Sequence, residues 1–234
     1  MKSPKLIAGF AIAHLAALSA QSQVAFTNLN FEQANPVPIV GSPYYPYAVT
    51  AASALPYWTV TIGGVQATQV FYNDESLGSP SVSLIGPGHN PNVVPPPIDG
   101  NYSVLLQGSF PGSAAISQTG LIPAGTQSLL FEAEQDSPGP AGTLEVLVGN
   151  QVVPFAAVGT GPNYTLYGAN ISAWDGDNEQ LTFSALQDNS DLNNWEIDDI
   201  SFSTTVVSPE PNIVALTAIG GLLFGARKWF ARRC

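Results

Sequence analysis

Between Lys5 and Arg227 this 234-residue chain contains neither lysine nor arginine. All seventeen Asp and Glu residues lie inside that interval, from Glu32 to Glu210. Phosphate backbones are bound by displacing counterions with Lys and Arg, so nucleic-acid binding is excluded for the body of the chain. The only cysteine is the last residue, Cys234, which rules out an internal disulfide and Cys-based zinc sites. Two histidines are present, and only His89 lies beyond the first 22 residues. A histidine-rich metal centre is therefore impossible there. A Ser-His-Asp triad would have to use His89, which sits in a Pro-rich loop without a nucleophile elbow. Lysine is missing for a Schiff base, and arginine for a phosphate clamp.

The six cations are confined to the ends, where each group flanks an apolar run. Lys2 and Lys5 precede Leu6–Ala20, and Arg227, Lys228, Arg232 and Arg233 follow Ile213–Phe224. Cations beside apolar segments remain on the cytoplasmic side of a membrane. Both ends are thus expected to stay inside while the acidic middle is exported. Residues 1–22 have the layout of a secretory signal, with small residues before a cut that predicts a mature start at Gln23. Ala17-Leu18-Ser19 is a competing cut. At the other end 213–226 is uncharged, somewhat short of the roughly 20 residues of a standard span. Trp229 and Phe230 extend it into the interface.

Pro209-Glu210-Pro211, then an apolar run, then the basic tail 227–234, resembles the PEP-CTERM sorting signal. The resemblance implies export by the Sec machinery, cleavage by signal peptidase and recognition of Pro209, Glu210 and Pro211 by an exosortase of a diderm bacterium. It further implies transient inner-membrane anchoring, then residence at the cell surface or in an extracellular polysaccharide matrix. The division expected is 1–22 signal peptide, 23–205 ectodomain and 206–234 sorting signal, with Thr204–Ser208 as linker.

The ectodomain is rich in Gly, Pro, aromatic and β-branched residues, which favours short strands and turns over long helices. Ala25–Glu32 alternates apolar and polar residues like a strand. The Pro-rich segment through Pro56 reads as irregular, and PGHNPNVVPPP between Gly86 and Pro97 as a loop. Strands are expected over Tyr57–Ile62, Gln69–Tyr72, Val82–Ile85, Tyr102–Gln107, Ala115–Gln118, Ser128–Glu134, Thr143–Val148, Gln151–Val158, Thr165–Asn170, Gln180–Leu186 and Trp195–Ser203. Gly149-Asn150 is a hairpin signal. The fold class is all-β, an antiparallel sandwich or barrel, accompanied by the N-terminal signal helix and a C-terminal transmembrane helix. Asn30-Phe31-Glu32, Gly100-Asn101-Tyr102-Ser103-Val104 and Trp195-Glu196-Ile197-Asp198-Asp199-Ile200 resemble segments of galactose-binding-type jelly-roll sandwiches.

Candidate chemistry is carboxylate and aromatic. Trp174-Asp175-Gly176-Asp177-Asn178-Glu179 resembles part of a Ca²⁺ loop without full EF-hand spacing; a solvated acidic turn explains it as well. In jelly-roll carbohydrate-binding modules an early Glu and a late Asp share a structural Ca²⁺, and resemblance maps these to Glu32 and to Asp198 or Asp199. Alternation puts Ile197 and Asp199 on one face and Asp198 and Ile200 on the other. A buried acid here requires a metal or backbone donors, because no cation is available. Glu132 and Glu134 share a strand face, as a glycosidase pair would, and equally as an acidic solvent face would. Tyr44, Tyr45 and Tyr47 are kept out of regular sheet by prolines and, with Trp174, are candidates for stacking on sugar rings. The function expected is a non-catalytic envelope or matrix protein associated with polysaccharide. The alternatives are a carbohydrate-binding module-like protein and a carboxylate-based glycan hydrolase or lyase.

Overall fold

The computed structural model describes residues 24–76, 78–135, 142–187 and 193–207. The signal segment, the sorting triplet Pro209-Glu210-Pro211 and the expected membrane span lie outside the described residues. Among the described residues no helix is long and apolar enough to cross a membrane.

In chain order the strands are β1 (Ala48–Thr50), β2 (Thr59–Ile62), β3 (Val65–Gln66), β4 (Gln69–Tyr72), β5 (Ser81–Ile85), β6 (Ser103–Gly108) and β7 (Ala114–Leu121). They continue as β8 (Ser128–Gln135), β9 (Leu144–Val148), β10 (Gln151–Val152), β11 (Phe155–Thr160), β12 (Thr165–Asn170), β13 (Asn178–Ala185) and β14 (Asn193–Ser203). One sheet has the order β1-β4-β5-β6-β14-β8-β12-β11, the other β10-β9-β13-β7-β2-β3. All named strand pairs are antiparallel except β4 with β5, which pair in parallel. The wholly antiparallel expectation fails at that one junction.

The two sheets close face to face as alternation requires. Val82, Leu84, Val104, Leu106, Phe131, Trp195 and Ile197 are buried from the first sheet, and Val60, Ile116, Val146, Leu181 and Phe183 from the second. Phe131 and Phe183 meet edge to face across the layers, centroids 5.1 Å apart. Gly149 and Asn150 both adopt positive φ, 56° and 64°, and join β9 to β10 as the two-residue hairpin expected from the sequence.

Two segments depart from expectation. Ala25–Glu32 is not a strand: apart from a bridge between Ala25 and Leu121 it is turn and coil. Asn28 and Phe31 take positive φ, 52° and 56°, outside the range of regular strand backbone. Asn28 is held there from afar, donating from Nδ2 to the Pro56 carbonyl while its own carbonyl accepts from Trp58 Nε1. Conversely, the Pro-rich segment contains β1 and a single helical turn, α1 (Ala51–Ala54), where the prolines pause.

The two ends of the sandwich differ in what they carry. Leu121, the last residue of β7, donates its N–H to the Val24 carbonyl, and Phe26 packs on Phe202 near the end of β14. Ser128, at the start of β8, pairs with Ser203, and its Oγ accepts the Val207 N–H at 3.0 Å. Chain entry and exit therefore share one end. The starts of β7 and β14, Ala114 and Asn193, lie at the other.

Candidate functional site

The three segments singled out in the sequence converge. Glu32 Oε1 accepts the N–H groups of Asn101 and Tyr102 at 2.7 and 2.9 Å, and Oε2 accepts Asn101 Nδ2 at 2.9 Å. Gly100 makes the approach possible: its φ is +57°, and a Cβ there would lie 2.5 Å from Glu32 Oε1. Partial burial works to raise the Glu32 carboxyl, but the bonds from Asn101 and Tyr102 outweigh it and hold the group below its usual range. Asp198 is buried beneath the adjacent loop; its Oδ2 accepts the Asp99 N–H at 3.2 Å and its Oδ1 the Asp199 N–H at 2.8 Å. Desolvation dominates despite these donors and pushes its pKa up to about 8, with Asp199 and Asp99 adding to the rise.

Simple alternation fails at this point. The register of β14 against β8 shifts between Asp198 and Ser201, and Asp199 has φ 42°. This bulge lets Ile197 and Ile200 both enter the core and leaves Asp199 exposed. Burial, then the charges of Asp99 and Glu32, raises the Asp199 carboxyl. Both oxygens of buried Asp198 accept backbone N–H groups, while Glu32 accepts two backbone N–H groups on Oε1 and the Asn101 side-chain amide on Oε2. Among the described residues no group of three or more His, Cys, Asp or Glu is arranged to hold a metal ion.

Glu132 and Glu134 do share a face, standing opposite Asp198 and Glu196 of β14. Burial raises the Glu132 carboxyl; a bond from Tyr164 opposes this, and the charges of Asp199 and Asp99 add to it. The fully buried Glu196 accepts from Ser103 Oγ.

The acidic turn is also structural in use. Asp175 Oδ1 accepts the Gly125 and Thr126 N–H groups at 2.5 and 3.2 Å, tying two loops at the end where the chain enters and leaves. Asp177 is exposed, and its carbonyl accepts from Ile122. Trp174 packs against the core cluster rather than standing free for a sugar.

The tyrosines behave differently. Tyr44, Tyr45 and Tyr47 are 53, 57 and 47% exposed, so their rings are not spent on the core. Tyr44 meets Phe71 edge to face at 5.5 Å on the wall of a cleft of about 730 Å³. Gln66, Gln69, Asp74, Glu75 and Ser76 also line it. Tyr47 lines a second cleft of about 420 Å³ with Tyr72 and Pro87, and Asp74 borders both. The larger cleft includes Ile62, opposite Ala114, and Ser81, opposite Gln107, which puts it at the end remote from chain entry and exit.

The loop carrying Asp74–Ser76 is pinned from inside the sheet. Buried Gln107 accepts the Ser76 N–H at 3.2 Å and donates to the Ser76 carbonyl at 2.9 Å. Buried Asn194 donates to Glu75 Oε2 at 3.2 Å. None of these four residues is singled out by the sequence reading. The available signal is a polar amide at a buried position of an otherwise apolar strand.

No family model matches the chain, and no curated protein matches it. Among solved structures, the secreted serine protease VesC from Vibrio cholerae is 16% identical with a TM-score of 0.30, over 47% of this chain and 23% of that one. The enzymatically active domain of bacteriophage CBA120 tailspike protein 4 is 13% identical with a TM-score of 0.34, over 63% of this chain and 19% of that one. The chain spans about a quarter or less of either neighbour.

Proposed function

We propose that this chain is an exported envelope or matrix protein whose sandwich, a jelly roll of the galactose-binding type, contacts extracellular polysaccharide without acting on it catalytically. The observation that carries the proposal is the position of the tyrosine cleft. Exposed Tyr44 and Phe71 stand on the wall of a cleft at the end of the sandwich away from the chain entry and exit, and Tyr47 lines the neighbouring cleft. A body held through its exit segment presents that end outward. Exposed aromatic rings beside amides and carboxylates suit a hydroxyl-rich, flat-faced ligand.

Delivery rests on the sequence. A signal segment at 1–22, the Pro209-Glu210-Pro211 triplet, the apolar run and the basic tail favour Sec export, signal peptidase cleavage and processing by an exosortase. Val207, bound at Ser128, leaves a short tether before that triplet.

The test is retention of the exported protein on extracellular polysaccharide, with intact-mass measurement of the surface form. Tyr44→Ala is expected to abolish retention while the fold persists, with no new reducing ends released from the glycan. Release of reducing ends, abolished by Glu132→Gln, would replace this reading with a hydrolase. A surface species of full-length mass would remove the sorting proposal.

A further inference from the structure

We infer that the Tyr44 cleft selects amine-bearing sugars, meaning polymers of unacetylated hexosamine, over neutral and anionic glycans. The inference rests on the glycan-contact reading above and narrows it. Two independent features of the cleft converge on a cation.

The first is charge. Asp74 and Glu75 both line the cleft, and the chain has no Lys or Arg between Lys5 and Arg227 to neutralise them. A uronate or sulfated sugar would meet only repulsion. The second is the aromatic wall. Tyr44 is half exposed on the cleft wall and set edge to face with Phe71, and aromatic quadrupoles attract an ammonium group.

The carboxylates are also held in place before any ligand arrives. The Glu75 N–H donates to Asp74 Oδ1 at 3.0 Å, Asn194 fixes Glu75 Oε2, and Gln107 clamps the following residue from both sides. Gln107 and Asn194 are 1 and 4% exposed, so the clamp is built from the interior of the sheet. Preorganised acceptors bind with less ordering cost, and a charge-assisted bond to an ammonium is stronger than one to a hydroxyl.

The experiment is calorimetric titration of the exported protein with a glucosamine hexamer, its fully N-acetylated counterpart and a hexuronate hexamer. The free-amine hexamer is expected to bind about tenfold or more tightly than the acetylated one, the weight of one charge-assisted contact. The uronate should show no binding. Glu75→Gln and Asp74→Asn should each bring the amine hexamer down towards the acetylated level, whereas Asp177→Asn, at the far end, should change it less than about twofold. Equal binding of the two hexosamine polymers, with both lost in Tyr44→Ala, overturns the amine preference and leaves the glycan cleft standing. An equal loss in Asp177→Asn overturns it too, by showing diffuse attraction to an anionic body. Absence of binding by all three overturns both readings.

Discussion

Two acidic regions of this protein meet the same problem, an anionic body without cations, and resolve it in opposite ways. At the Glu32–Asp198 node the acids are turned onto the backbone N–H groups of residues 99, 101, 102 and 199. They staple the early turn, a middle loop and the last strand together, and their oxygens are engaged. At the cleft, Asp74 and Glu75 are half-buried on the wall, and the neutral amides of Gln107 and Asn194 are buried beneath them, holding Ser76 and Glu75. Asp198 is a buried structural acceptor, whereas half-buried Asp74 and Glu75 sit on a pinned loop that lines the cleft proposed to receive a ligand. The acids most prominent in the sequence therefore belong to the fold, and less prominent ones border the cleft.

The contrast can be broken most severely at the node. Asp198→Ala strips the acceptor from the Asp99 and Asp199 N–H groups and is expected to cost about 2–4 kcal/mol, read by urea unfolding. Tyr44→Ala and Glu75→Gln should each stay within about 1 kcal/mol. A reversal of that order would exchange the roles of the two regions.

The pH dependence sharpens the same point. Asp198 has a folded pKa of about 8, above the ordinary value of 3.8, so between these values the folded state holds the proton and the unfolded state does not. Its contribution is full at low pH and is lost as pH rises towards 8. Glu32 has the opposite sign: its lowered carboxyl contributes above the ordinary 4.5 and is lost as pH falls through the folded value. Melting temperature should thus decline from pH 5 to pH 8, and Asp198→Asn should flatten that decline. An unchanged slope in Asp198→Asn would move the titration elsewhere.

A smaller effect concerns calcium. With the Glu32 and Asp198 oxygens accepting N–H groups, millimolar Ca²⁺ followed by EGTA should leave the melting temperature within about 1 °C. A clear rise, removed by Asp198→Asn, would support the calcium expectation from jelly-roll resemblance.

Much of the fold was legible because it depends on local period. β4 and β12 match their expected bounds, and most other strands differ by a few residues. The expected Gln151–Val158 strand is split into β10 and β11 around Val153-Pro154, a break that proline explains. The misses have non-local causes. Ala25–Glu32 alternates well but is bent by bonds from residues 28–30 positions away, and the Asp198–Ser201 bulge overrides the face assignment of Asp199 and Ile200. At the site, the exposed tyrosines were legible because prolines excluded them from sheet. Asp74 and Glu75 were not, since their supports come from Gln107 and Asn194, on strands β6 and β14 far along the chain.

The decisive measurement is a backbone NMR titration of the protein with the glucosamine hexamer. Shifts are expected around Tyr44, Gln69–Phe71 and Asp74–Ser76, with Leu121, Ser128 and Phe202 unmoved. Perturbations gathered at Leu121, Ser128 and Phe202, the end where the chain enters and leaves, would contradict the proposed orientation and the assignment of the cleft.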